Sequence, residues 1–91
     1  MLEKNIIGEF IEKFIVLDGR KADVIIKHLL YGNQKLNRCV LHPFADEGRI
    51  GLLIEDEGRY ITMDELCEVG IDDKCCYLRS EIMELYINYT V

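Results

Sequence analysis

Asp46-Glu47-Gly48-Arg49-Ile50 returns ten residues later as Asp56-Glu57-Gly58-Arg59-Tyr60, and Ile50-Gly51-Leu52-Leu53-Ile54 stands between the two copies. An Asp-Glu-Gly triplet ahead of an arginine and a β-former has the chemistry of a hairpin loop, because glycine takes a positive φ without steric cost. Two such turns bounding a five-residue apolar segment predict a β-meander. The period is too short, and the copies too few, for a solenoid.

Downstream the pattern continues as strands. Arg59-Tyr60-Ile61-Thr62 is rich in β-formers. Cys67, Val69 and Ile71 alternate with Leu66, Glu68 and Gly70, Asp72-Asp73 turns the chain, and Cys75 and Tyr77 alternate with Cys76 and Leu78. That is a second hairpin. Ser80-Glu81-Ile82 suits one turn of 3₁₀ helix. Residues 83–91 then place Leu85, Ile87 and Tyr89 on one face and Tyr86, Asn88 and Thr90 on the other.

Upstream, Asn37 to Phe44 is an apolar run closed by Pro43, which suits an edge or a strand end. Residues 20–31 satisfy two periods. Ala22, Ile25, Ile26, Leu29 and Leu30 fit a helix, whereas Val24-Ile25-Ile26 followed by Tyr31-Gly32-Asn33 reads as a strand entering a hairpin. The strand reading agrees better with the strand-rich remainder of the chain, and helix is the alternative. Residues 2–17 are an amphipathic helix: Leu2, Ile6, Ile7, Phe10, Ile11, Phe14, Ile15 and Leu17 recur at spacings of three and four, with charged residues opposite. Asp18-Gly19 ends it. The stripe is wide, covering the domain core and leaving surface for a second subunit. The expected fold is therefore α+β and a single domain over 1–91. A helix over 1–18 packs on a small, strongly bent antiparallel sheet or barrel of about five strands in 20–91.

An amphipathic N-terminal helix followed by short bent strands resembles the small-barrel architecture of Sm-like and SH3-like domains. Tyr60-Ile61-Thr62-Met63-Asp64-Glu65-Leu66-x-x-Val69 is similar to the region where the strands of such barrels close. The resemblance covers roughly 2–90 and is architectural. In its Sm-like form it implies an oligomer that binds RNA, here through Arg20, Lys21, Lys27, Lys35 and Arg38. The Asp and Asn-Gly signatures of the Sm-like RNA-binding loops have no counterpart in this chain.

Composition narrows the function classes. The chain has 91 residues, 17 acidic against 11 basic, a net charge of −6 and 49% apolar content. One core is feasible, wholesale disorder is excluded, and no apolar run approaches the roughly 18 residues of a membrane span. No secretory leader is visible at Met1, so Cys39, Cys67, Cys75 and Cys76 are expected to be reduced thiols in a cytoplasmic protein. The charge is uneven: residues 1–45 carry a net +2 and residues 46–91 a net −8.

Several constellations compete for chemistry. Cys39-x-x-His42 with Cys67 and Cys75 could supply four zinc ligands, but only one pair has ligand spacing, and in a strand Cys39 and His42 point to opposite faces. The cysteines read better as small buried hydrophobes. No nucleophile motif surrounds any cysteine or either histidine. The acidic clusters lack the alternating spacing of a calcium loop. They read as solvated turns or as an acidic face that docks on a basic surface. The expected function is a non-enzymatic protein–protein interaction or regulatory module without a cofactor, such as a small acidic inhibitor. Asp46, Glu47, Glu55, Asp56, Glu57, Asp72 and Asp73 would steer, and Tyr60, Tyr77, Tyr86 and Tyr89 would anchor. The alternatives are an Sm-like RNA-binding oligomer and a small zinc module. The expected partner is another protein, with nucleic acid and membrane disfavoured and a homo-oligomer left open.

Overall fold

The computed structural model describes residues 4–63, 68–72 and 75–89. Helix α1 (Lys4–Phe14) runs into a 3₁₀ turn (Ile15–Leu17) and is followed by β1 (Arg20–His28), β2 (Gly32–Asp46) and β3 (Arg49–Ile54). A second 3₁₀ turn (Glu55–Glu57) leads to β4 (Arg59–Met63), β5 (Glu68–Asp72), β6 (Cys75–Arg79) and β7 (Met83–Tyr89). The helix ends where β-branched Ile15 and Val16 lower helix propensity and Gly19 takes a φ of 74°. Residues 20–28, where both periods fit, are extended: pairing on both sides supplies what periodicity alone cannot.

The strands form one antiparallel sheet in the order β4-β3-β2-β1-β7-β6-β5. The first strand is its centre, and the last returns beside it. The fold is thus α+β, but with seven strands rather than about five, and the sheet is open rather than a barrel. Among the described residues no ladder joins edge strands β4 and β5. Closure is replaced by cover: α1 packs on β2 and β3 in one wing of the curled sheet and on β5 in the other. Part of the stretch expected to close a barrel, residues 64–67, lies outside the described residues, as do Leu2 and Asp73.

Parity along the strands builds the core. Ala22, Val24 and Ile26 of β1 are buried, as are Ile50, Leu52 and Ile54 of β3, Cys76 and Leu78 of β6, and Leu85 and Ile87 of β7. From α1 and its 3₁₀ extension come Phe10, Phe14 and Leu17, with Phe10 and Phe14 in ring contact. The wide helical stripe therefore splits. One column is core, while Ile11 and Ile15 remain 48% and 64% exposed.

Strand β2 needs a phase change, because Leu36 and Cys39 both pack inward although three residues apart. A bulge supplies it. Ala22 pairs with Cys39 and Val24 with Leu36, so Asn37 and Arg38 together oppose Asp23. Arg38 takes a φ of 54°, and its N–H donates to Asp23 Oδ1 at 2.9 Å. Pro43 fits β2 for a separate reason. Leu41 O accepts from Gly19 N, so odd-numbered residues here turn their polar groups toward β1, and Pro43 lies past the end of that ladder. Its missing N–H therefore costs no bond.

Two glycines are paired with aromatics on the outer face. Gly51 lies opposite Phe44 and Gly70 opposite Tyr77. A Cβ on Gly51 would strike the Ile61 carbonyl and the Phe44 ring, and one on Gly70 would strike the Tyr77 ring. Each ring lies over bare backbone, which shields the strand where it bends.

Candidate functional site

The acidic turns are not one surface. Glu47 and Gly48, at φ 48° and 77°, form a two-residue loop between paired Asp46 and Arg49. Glu55, Asp56 and Glu57 form the 3₁₀ turn at the other end of β3, closed by Gly58 in the left-handed region. Six strand residues separate the clusters, roughly 20 Å at about 3.3 Å per residue. Asp72 ends β5 in the other wing, and Asp73 is outside the described residues.

The 55–57 triplet also divides internally. Glu55 Oε2 is 2.9 Å from His42 Nε2, and Asp18 Oδ1 is 2.9 Å from His42 Nδ1. Carboxylates only accept, so the ring donates to both at once only when both of its nitrogens carry hydrogen. The Glu55 hydrogen bond, followed by that of Asp18, raises the His42 pKa above its ordinary value. This bridge ties the helix–strand turn to β2 and to the second 3₁₀ turn. Glu57 lies 3.9 Å from Arg59, a loose surface pair. Asp56 and Glu57 thus remain exposed to solvent in the turn that leads into β4 and Tyr60. Tyr60 is 63% exposed and braced edge-on by Phe44, with ring centroids 5.6 Å apart.

Tyr86 belongs elsewhere. It pairs with Ile25 on one side and with Tyr77 on the other, and Lys27 Nζ sits 5.3 Å above its ring. Arg79 covers the Tyr77 ring at 4.1 Å and lies 3.5 Å from Glu68. Tyr86 donates to Glu84, which raises the phenol pKa. Both rings therefore lie beneath cations. Tyr89 is half-buried against the core. Of the basic residues, Lys21, Lys27, Lys35 and Arg38 lie along the β1–β2 ribbon, while Arg20 shares the register of buried Leu41 and Ala22. Asp23 interrupts the ribbon, and the strands are not arranged as a closed ring-forming barrel.

The proposed zinc ligands are not brought together. Cys39 is buried, whereas His42 is held outside by its two carboxylates. Cys75 is half-buried, and Cys67 lies outside the described residues. No group of three potential ligands is arranged around a metal position among the described residues. Burial raises the thiol pKa of Cys39 and pushes that of Cys76 up to about 11. These two sulfurs are thiols packed in the core, far from the thiolate a nucleophile needs.

A further surface has no motif to mark it in the sequence. The β1–β2 loop exposes Leu29, Leu30 and Tyr31 by 74%, 76% and 85%. It is not a loose loop. Leu30 N and Tyr31 N donate to His28 Nδ1 at 3.1 and 3.3 Å, Leu29 N donates to Ile82 O at 2.8 Å, and Tyr31 packs on the His28 ring. The apolar spacing that supports a helix over 20–31 is the signal that concealed this tip.

A curled seven-stranded antiparallel sheet covered by one helix, with acidic turns at both ends of β3 and an apolar hairpin tip, defines a small α+β domain. No protein-family model, curated protein or solved structure matches the chain. No described helix is long and apolar enough to cross a membrane.

Proposed function

We propose that this protein is a non-enzymatic docking module that binds a basic surface of another protein in the cytoplasm. One observation carries the reading: Asp56, Glu57 and the exposed, braced ring of Tyr60 lie within one turn and the strand start that follows it. Carboxylates at a rim speed encounter and orient the partner, and a rigid aromatic supplies buried area at small entropic cost. Asp46 and Glu47 steer from a distance, and Tyr86 and Tyr77, each beneath a cation, are not anchors. The experiment is affinity capture from cells of the source organism with the wild type and with an Asp56→Lys/Glu57→Lys variant, which leaves the Glu55–His42 bridge intact. A basic partner retained at low salt should elute as salt rises. The reversal should lower its retention at least tenfold, and a Tyr60→Ala variant should shorten its residence. Equal retention by wild type and charge-reversed protein rejects the reading.

A further inference from the structure

We infer that the partner supplies an extended basic segment that pairs antiparallel with β4 and lengthens the sheet by one strand. This rests on the reading of Asp56, Glu57 and Tyr60 as the docking surface, and adds the backbone that holds the partner there. Strand β4 ends the sheet and pairs with β3 alone among the described residues. Which of its groups face outward follows from the register. In β2 the odd-numbered residues from Leu41 onward turn their polar groups toward β1, so Phe44 and Asp46 turn theirs toward β3. Their partners Gly51 and Arg49 face back, which leaves Ile50, Leu52 and Ile54 to bond Met63, Ile61 and Arg59 of β4. Tyr60 and Thr62 therefore point their N–H and C=O groups away from the sheet. Among the described residues no backbone bond outside the β3 ladder engages either of them, and both side chains are exposed. The edge thus offers donors and acceptors in the spacing that an added strand meets.

Charge around the edge selects a basic segment over a second copy. Asp56 and Glu57 are exposed in the turn that enters β4. The cations nearby are engaged. Arg59 alternates with Tyr60 onto the other face, donates to Gln34 Oε1 at 3.0 Å and lies 3.9 Å from Glu57, while Arg49 stands in register with Asp46 and next to the Glu47 turn. The sequence after β4, Asp64-Glu65, is acidic too. Two β4 strands paired antiparallel would set the acidic sequence before one beside the acidic sequence after the other, and like charges across a ladder repel. A segment with lysine or arginine on the Tyr60 face meets carboxylates and an aromatic ring instead. In an antiparallel pair, residues opposite Tyr60 and Thr62 share their face and exchange backbone bonds with them. The basic residues of the partner are then the ones whose N–H groups point at β4.

The probe is a short end-blocked peptide of alternating lysine and valine, titrated into the isotope-labelled full chain and read by amide hydrogen exchange. In the free protein the Tyr60 and Thr62 amides should exchange at least tenfold faster than the Ile61 amide, which bonds β3. The peptide should slow both at least tenfold, and an alternating glutamate–valine peptide should not. Methylating the lysine backbone nitrogens should abolish the protection, whereas methylating those of valine should leave it. Thr62→Pro removes an outward N–H and no ladder bond, so this variant should stay folded by circular dichroism and lose the peptide. A Thr62 amide already protected in the free protein overturns the inference. So does equal binding of the two methylated peptides, and so does protection that grows with protein concentration alone, which indicates a second copy. If the lysine–valine peptide perturbs Asp56, Glu57 and Tyr60 but leaves the Thr62 amide unprotected, the docking reading stands and strand addition falls. If it protects Thr62 as well in the Asp56→Lys/Glu57→Lys variant, strand addition stands and those carboxylates are rejected as its steering groups.

Discussion

Gly8 and Gly51 show how one residue type serves opposite ends. Gly8 lies on the exposed side of α1, and a Cβ there would meet nothing within 4 Å. Its backbone freedom only weakens the helix, so Gly8→Ala should raise the unfolding free energy by about 0.5–1 kcal/mol. Gly51→Ala should lower it by about 1–3 kcal/mol, because the clash is with backbone that cannot move aside. Urea denaturation of the two variants would show shifts of opposite sign. His42 supplies a pH-dependent counterpart. Its folded-state pKa is raised, so its contribution is complete below the unfolded value of 6.5 and disappears as pH rises through the folded value. The melting temperature of His42→Asn should therefore fall short of the wild type most at about pH 5 and converge with it at about pH 9. A constant difference across that range would show that packing, not charge, is what the imidazole supplies.

Among the elements, the two Asp-Glu-Gly copies diverge. The first is a two-residue loop with both residues at positive φ, whereas the second is a 3₁₀ turn capped by Gly58. The difference lies in what they must join. Asp46 pairs directly with Arg49, but Ile54 pairs with Arg59, leaving four residues to cross the same gap. The meander was therefore legible from composition, and the turn types were not. The bulge at Asn37–Arg38 was illegible for a stronger reason. Nothing local distinguishes it, and only the opposing Asp23 makes it favourable. Asp23→Ala removes the acceptor of the Arg38 N–H and should cost about 1 kcal/mol, with hydrogen exchange at that amide accelerating more than at neighbouring β2 amides.

At the scale of the molecule, the helix joins two sheet wings that share only the β1–β7 seam. Phe10, fully buried where α1 crosses the sheet, is central to that cover. Phe10→Ala should cost about 3–5 kcal/mol, a large share of the stability of a domain this size. Far- and near-ultraviolet circular dichroism should nevertheless report a single coincident transition, because the wings have no separate cores. Two separated transitions would show instead that each wing folds alone.

What the sequence determined by itself is local: an amphipathic N-terminal helix, strands of alternating burial, glycine-bearing turns, and cysteines that pack as hydrophobes, as Cys39 and Cys76 do. Each follows from periodicity or from the conformational range of single residues. Tertiary structure decided the remainder. It chose extended chain for residues 20–28, set seven strands in an open sheet, and placed Glu55 on His42 while leaving Asp56 and Glu57 exposed. Those outcomes depend on which strand lies beside which, and pairing energies belong to partners distant in the chain. The apolar tip is the plainest case. Leu29 and Leu30 read as core by their spacing, and only the strand's end at His28 puts them in solvent.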